Sequence, residues 1–300
     1  MSGSTRVAEL TARLAQKSST RRARIIAIAN QKGGVGKTTT AVNLSAALAQ
    51  LDSRVLVIDI DPQANATSGL GLARDPHRRS VYQFLLLDEP IDEVIIDTAF
   101  GLKLLPSDKN LAAAEIEMID LPDRELFLRK RIAPVLQSYD FIILDCPPAL
   151  NLLTLNALAA ADSLLIPIQC EYYALEGVTD LLDTLTAIRR SLNPLIEIEG
   201  FLLTMYDERI NLSAAVAADL RNFYRGLVFN TIIPRNVRLA EAPSHGMPIV
   251  YYDQRSRGAA SYFELAKEVL VNDQKTIRQG AECSAVNHYV ADRQRRTVGD

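Results

Sequence analysis

The chain of 300 residues has no tryptophan and only three cysteines, Cys146, Cys170 and Cys283. The cysteines lie far apart and none sits in a CxxC pair, which argues against zinc-finger or iron–sulfur ligation within one chain. A sparse, odd set also speaks against a secreted disulfide scaffold and for a reducing compartment. Histidine is scarce as well. His77, His245 and His288 are isolated and read as surface or capping residues rather than ligands. Long apolar runs are missing. The most apolar stretch, Leu150–Ile168, is broken by Asn151, Asn156, Asp162 and Pro167, whereas a membrane span needs roughly 20 mostly apolar residues. No apolar segment of the signal-peptide kind follows the early arginines. These absences predict a soluble, cytoplasmic protein.

What is present is ordinary for a globular chain: 48% hydrophobic and 23% charged residues. That excludes a disordered or collagen-like protein. The net charge of −3 says little about partners, but its distribution says more. Residues 1–24 carry six basic side chains against Glu9 alone, and residues 75–125 carry twelve acids against five bases. Residues 201–260 hold seven arginines and five acids. A basic patch for a polyanion can exist on such a mildly acidic protein, although solvated helix faces explain the same counts.

Residues 1–23 read as a basic extension, with Val7, Leu10 and Leu14 on one face of a short helix. Residues 24–271 read as one domain and residues 272–300 as a polar C-terminal tail of mixed charge. Within the domain, strands alternate with helices. Ile25–Ala29, Val55–Ile58, Leu102–Leu105, Phe141–Leu144, Leu164–Ile168, Phe201–Thr204 and Val228–Ile233 read as strands, most of them continuous apolar runs suited to burial on both faces. Helices are expected around Ala41–Leu51, over Val178–Leu192 with a clear apolar face, over Ala214–Tyr224 and over Tyr262–Leu270. The alternation predicts an α/β fold: a mostly parallel twisted sheet with helices on both faces.

The segment Asn30-Gln31-Lys32-Gly33-Gly34-Val35-Gly36-Lys37-Thr38-Thr39 lies between the first strand and a helix. Glycines there let backbone N–H groups curl around phosphate oxygens, and the helix adds its positive N-terminal end. Lys37 can reach β- and γ-phosphates, and the Thr38 hydroxyl can ligate Mg²⁺. Lys32 is a second lysine in a loop that Lys37 already serves. It is either a solvated surface lysine or a group that reaches phosphates held by another subunit. Two further strands end in acids. Asp59 and Asp61 follow the second at period 2. Asp145 ends Phe141-Ile142-Ile143-Leu144-Asp145, where such a carboxylate supports the Mg²⁺ shell. Asp61, just before Pro62, is a candidate for orienting or deprotonating an attacking water; the alternative is a turn or capping carboxylate. Cys146 and Cys170 follow buried strands and read as small apolar core residues.

Lys32-Gly33-Gly34-Val35-Gly36-Lys37-Thr38-Thr39 resembles the deviant Walker A motif of the ParA/MinD group of ATPases, a branch of the P-loop NTPases. Asp59-Ile60-Asp61-Pro62-Gln63-Ala64-Asn65-Ala66-Thr67-Ser68-Gly69 and Asp145-Cys146-Pro147-Pro148 resemble the next two motifs in order. The run Gln169 to Gly177 and the run Ile233 to Ser244 are similar to the ParA/Soj branch specifically. The likeness spans about residues 24–271. It implies ATP with Mg²⁺ as cofactors and a homodimer formed face to face with ATP, in which Lys32 reaches the partner's nucleotide. It implies that Gly33, Gly34, Val35, Gly36, Lys37, Thr38 and Thr39 cradle phosphates, and that Pro234 and Asn236 lie where adenine sits. Thr38, Asp61 and Asp145 match the Mg²⁺ side, with Asp61 tied to hydrolysis. The absence of an Asn-Lys-x-Asp guanine reader supports ATP independently. The resemblance further implies non-specific double-stranded DNA binding through Arg209 and Arg238, stimulation by a ParB-type partner, and a nucleoid-associated location. Arginine suits phosphate contact, but nearby Asp207, Glu208 and Glu241 could equally pair with both. The other reading, a MinD-like membrane-surface ATPase, requires a basic amphipathic helix at the C-terminus; Tyr262–Leu270 reads instead as a packed core helix.

Overall fold

The computed structural model describes residues 22–75, 77–171 and 174–273. The extension up to residue 21, the tail from residue 274 with Cys283 and His288, and Tyr172 and Tyr173 lie outside the described residues, as do the side chains of 174–177.

Eight strands form one sheet: β1 (Arg24–Ile28), β2 (Val55–Asp59), β3 (Ile96–Asp97), β4 (Lys103–Leu105), β5 (Phe141–Asp145), β6 (Ser163–Gln169), β7 (Glu197–Tyr206) and β8 (Val228–Pro234). Their order is β3-β4-β2-β5-β1-β6-β7-β8. Every pairing is parallel except β3 with β4 at the edge. The long apolar runs are central because only a strand covered on both faces can bury every side chain, and β2 and β5 are buried at all five positions.

The longer helices are α1 (Lys37–Gln50), α2 (Leu152–Ala160), α3 (Ala174–Ser191), α4 (Asn211–Phe223) and α5, helical backbone over 257–273. They divide the core into two layers, one on each face. Ala27, Ile58, Leu144 and Ile166 join Leu181 and Leu220 on one side. Ile26, Val57, Ile143 and Leu165 join Leu44, Leu48, Tyr262 and Leu265 on the other. Tyr262 is fully buried and its hydroxyl lies 3.3 Å from Thr40 Oγ1, so α5 packs on the helix that follows the glycine loop.

The strands match the expected runs within a residue or two, except β7, which extends well beyond Phe201–Thr204 at both ends. β7 is also kinked. Met205 has a left-handed backbone with φ 50, and the β7–β8 register shifts between Leu203 and Tyr206. This is a bulge in which a non-glycine residue holds the left-handed position.

Candidate nucleotide site

The carboxyl ends of β1, β2 and β5 lie side by side, with Ile28 and Asp59 each paired to Asp145 in register. In an open parallel sheet this is the edge where ligands bind. β1 runs into the loop 30–36, and Lys37 opens α1. Gly34 and Gly36 have φ 76 and φ 91, values that side chains resist. A Cβ on Gly33 or Gly34 would meet nothing within 4 Å, so the curled backbone lines open space. Asn30 fixes the loop's entry: its Nδ2 donates to the Pro167 carbonyl at 2.8 Å, and its Oδ1 accepts from Lys32 N at 3.0 Å. Thr204 fixes the far side, its Oγ1 donating to the Val35 carbonyl at 2.8 Å.

The two lysines have different surroundings. Lys37 is buried and its Nζ donates to the Lys32 carbonyl at 3.1 Å. Burial lowers its pKa, while Asp145 and Asp61 pull the other way. Lys32 points outward, 38% exposed at the side chain, and its Nζ donates to Glu171 Oε2 at 2.6 Å. Thr38 and Thr39 are half-buried at the start of α1.

The three carboxylates also differ. Asp59 is fully buried and accepts from Thr67 N at 2.8 Å, Thr67 Oγ1 at 2.7 Å and Asp61 N at 3.2 Å. Burial raises its pKa to about 7 against these bonds. Asp61 caps its own turn: Oδ1 accepts from Gln63 N at 2.9 Å, and its carbonyl accepts from Ser107 Oγ at 2.7 Å. Asp145 is fully buried, and among the described residues neither carboxylate oxygen has a partner at full hydrogen-bond geometry, although the Thr38 hydroxyl is near enough to favour its charged form. Burial pushes its pKa well up, the Asp59 charge adds to this, and Thr38 and Lys37 oppose it. A buried, unsatisfied carboxylate is costly and calls for a cation or donor. Among the described residues no group of three or more His, Cys, Asp or Glu side chains could cage a metal. The buried Asp145 carboxylate beside the Thr38 hydroxyl fits Mg²⁺, which uses one or two carboxylates together with phosphate oxygens.

Pro234 ends β8 and Asn236 caps the following turn, its Oδ1 accepting from Arg238 N at 2.8 Å. They lie three strands from β1, joined to the glycine loop through β7 and Thr204. Arg209 and Arg238 follow β7 and β8 at the same end of the sheet, and Arg235 N donates to the Tyr206 carbonyl between them. Both arginines are paired with acids. Arg209 is 87% exposed and bonds Asp207 at 2.7 Å; Arg238 bonds Glu241 at 2.9 Å and approaches Asp253 at 3.5 Å.

Thr67, Ser107, Glu171 and Thr204 are the site residues that sequence reasoning did not single out. Thr67 and Glu171 sit inside runs quoted above for their likeness, which is the one signal that pointed near them. Thr204 is 169 residues from its partner Val35, and no local pattern marks it.

A parallel sheet, a glycine loop closing on a helix N-terminus, an inward lysine and acids ending the two neighbouring strands define a P-loop nucleoside triphosphatase. A family model described as an AAA domain matches residues 23–198. Over 250 residues the chain is 53% identical to the sporulation initiation inhibitor protein Soj of Bacillus subtilis, covering 83% of this chain and 99% of that one. It is 49% identical over 245 residues to the chromosome-partitioning ATPase Soj of Treponema pallidum, covering 81% and 96%. A solved structure of cobyrinic acid a,c-diamide synthase from Mycobacterium smegmatis, with bound ATP analogue and magnesium, superposes with a TM-score of 0.73 at 37% identity, covering 83% and 94%. The chain belongs to the Soj/ParA family of chromosome-partitioning ATPases.

Proposed function

We propose that the chain is an ATP-switched partitioning protein. It takes Mg-ATP, pairs face to face with a second copy, and in that state holds double-stranded DNA without regard to sequence. Hydrolysis, hastened by a ParB-type partner, releases both. Bound Mg-ATP supplies the phosphoanhydride to be cleaved and the charge around which two copies close. The loop 33–39 would hold its phosphates through backbone N–H groups, Lys37 and Thr38. Asp145 would face the Mg²⁺ side and satisfy its orphaned oxygens. Asp61 would leave its turn-capping bond to orient the attacking water.

The observation that carries this reading is the division of labour between the lysines. Lys37 fills the inward position, so Lys32, held at the surface by Glu171, can exchange that ion pair to serve a second subunit. DNA is held through Arg209 and Arg238. Exposed ion pairs contribute only about 0–1 kcal/mol, so exchanging a carboxylate for a DNA phosphate costs little. The membrane-surface reading is less well supported. The apolar face of α5, with Tyr262, Leu265, Ala266 and Val269, is spent in the core. No described helix is long and apolar enough to cross a membrane.

The test is a DNA titration with ADP, ATP and a slowly hydrolysed ATP analogue, on duplexes of unrelated sequence. Binding should require ATP or the analogue and ignore sequence. Four arginine contacts per dimer should give a slope of log K against log salt of about −4, at about −0.9 per contact. Arg209→Ala should flatten that slope by about 2, because a homodimer loses both copies. Equal binding with ADP would overturn the proposal.

A further inference from the structure

Behind the Asp61 turn lies a cavity of about 390 Å³, within the size range of small-molecule sites. No residue of the glycine loop lines it. Its floor is the back of the carboxylate network. Thr67 and Ser107 both line it; Ser107 N donates to Thr67 Oγ1 at 2.9 Å, and Ser107 Oγ donates to the Asp61 carbonyl. Pro62, Ala64 and Leu72 make part of the wall apolar. The rim is cationic, with Arg74, Arg78 and Lys109. Two acids, Asp75 and Asp108, are also on the lining, so its three cations leave one net positive charge; each acid has an oxygen turned to a local backbone N–H. Asp75 Oδ1 accepts from His77 N at 2.9 Å, and Asp108 Oδ1 accepts from Asn110 N at 2.8 Å. Arg78 uses Nη1 on the Ala73 carbonyl at 2.8 Å. Arg74 and Lys109 are exposed and make no ion pair among the described residues.

We propose that this cavity is an effector site for a small dianion with a short aliphatic body, and that its occupant slows ATP turnover by holding the Asp61 turn closed. The cations take the two charges, and Pro62, Ala64 and Leu72 take the body. Among the described residues the lining has no aromatic side chain, which argues against a stacked base. An occupant pressed on Thr67 and Ser107 secures the hydrogen bonds that keep Asp61 in its capping role. The second half of the proposal rests on the role given to Asp61 above; the first half does not.

Glutarate, a dicarboxylate with three methylenes, is the probe, and pentane-1,5-diamine is its charge-reversed control. Calorimetric titration into the full chain saturated with ADP and Mg²⁺ keeps the phosphate loop filled. Glutarate should bind saturably, one per chain, and the diamine should not bind. Arg74→Ala with Lys109→Ala should weaken glutarate by at least about tenfold, a loss expected when two charge-assisted contacts go. At matched ionic strength, saturating glutarate should lower ATP turnover in the parent and leave the double variant unaffected. No saturable binding, or equal binding in the double variant, overturns the site. Binding without any effect on turnover overturns the effector role. Parent-level turnover in Asp61→Asn would sink the reading of Asp61 while leaving the calorimetric result standing.

Discussion

Asp145 is the residue where the fold carries an evident cost. A fully buried carboxylate with no partner at full hydrogen-bond geometry beyond the nearby Thr38 hydroxyl, beside Asp59 in the next strand, destabilises the nucleotide-free protein. Asp145→Asn removes the ionisable group and keeps the shape. At pH 8 it should raise the urea unfolding free energy of the nucleotide-free chain by about 1–3 kcal/mol, the desolvation cost of an unmatched polar group. The same variant should lose the extra thermal stabilisation that Mg²⁺ adds to bound ADP. A variant that is less stable without nucleotide, or that keeps the Mg²⁺ effect, would show that Asp145 is held by bonds other than the one proposed.

The loop between β1 and α1 is the element on which the proposed switch depends. It is tied to β6 through Asn30, to β7 through Thr204, and to the loop after β6 through Lys32 and Glu171. The last tie keeps the Lys32 ammonium on its own chain. Both partners are partly exposed, so the pair contributes only about 0.2–1 kcal/mol. Glu171→Gln should therefore release Lys32 in both copies and tighten ATP-dependent dimerisation by about two- to thirtyfold, since about 1.4 kcal/mol is tenfold. Sedimentation velocity with the ATP analogue reads this directly; a weaker dimer would assign Glu171 to the interface itself. The glycine loop, its two lysines and the acids at the ends of β2 and β5 were legible in the sequence because each follows a continuous apolar run. Such runs mark buried parallel strands with little ambiguity. Apart from β4, which Leu102–Leu105 announced, the region between β2 and β5 was not legible. Its helices are four to seven residues long, too short for a periodic pattern, as over Val81–Leu86 and Ile91–Val94. Left-handed turns at Ala64, Asp88 and Asp123 break it further. β3 has two residues and exists only because β4 offers it an edge. Thr67, Ser107 and Thr204 escaped for a related reason: the fold, not the spacing, brings them to the site.

On the scale of the whole molecule, the two ends of the domain are joined below the sheet, away from the nucleotide edge. Arg24, at the start of β1, pairs with buried Glu199 on β7 and lies 3.7 Å from Asp273 on α5. Ser163 Oγ on β6 donates to the same Glu199 at 2.7 Å. With that end fixed, and α5 packed on α1 through Tyr262 and Thr40, changes at the opposite edge must pass through its loops. Glycine loop, Asp61 turn and arginine turns all lie on that edge, as the proposed switch requires.

The bulge at Met205 sits between two of them. Thr204 on one side grips the glycine loop; Tyr206 on the other accepts from Arg235 and leads into the turn of Arg209. A left-handed residue costs about 1–2 kcal/mol over the ordinary basin. Within the proposed switch, relief of that strain would be a single backbone flip to the ordinary basin, a click and not a gradient. Timing follows from this. The grip on DNA should lag behind events at the phosphates until the backbone flips, and the lag belongs to the protein rather than to the chemistry. Glycine accepts either setting, so Met205→Gly should blur the click. Its stability should stay within about 1 kcal/mol, because relief of strain offsets the entropy glycine adds. Its preference for DNA with ATP over ADP should shrink, and DNA release after a single turnover should lose its delay in stopped-flow fluorescence. A parent-like delay in that variant would mean that the two ends of β7 communicate by another route.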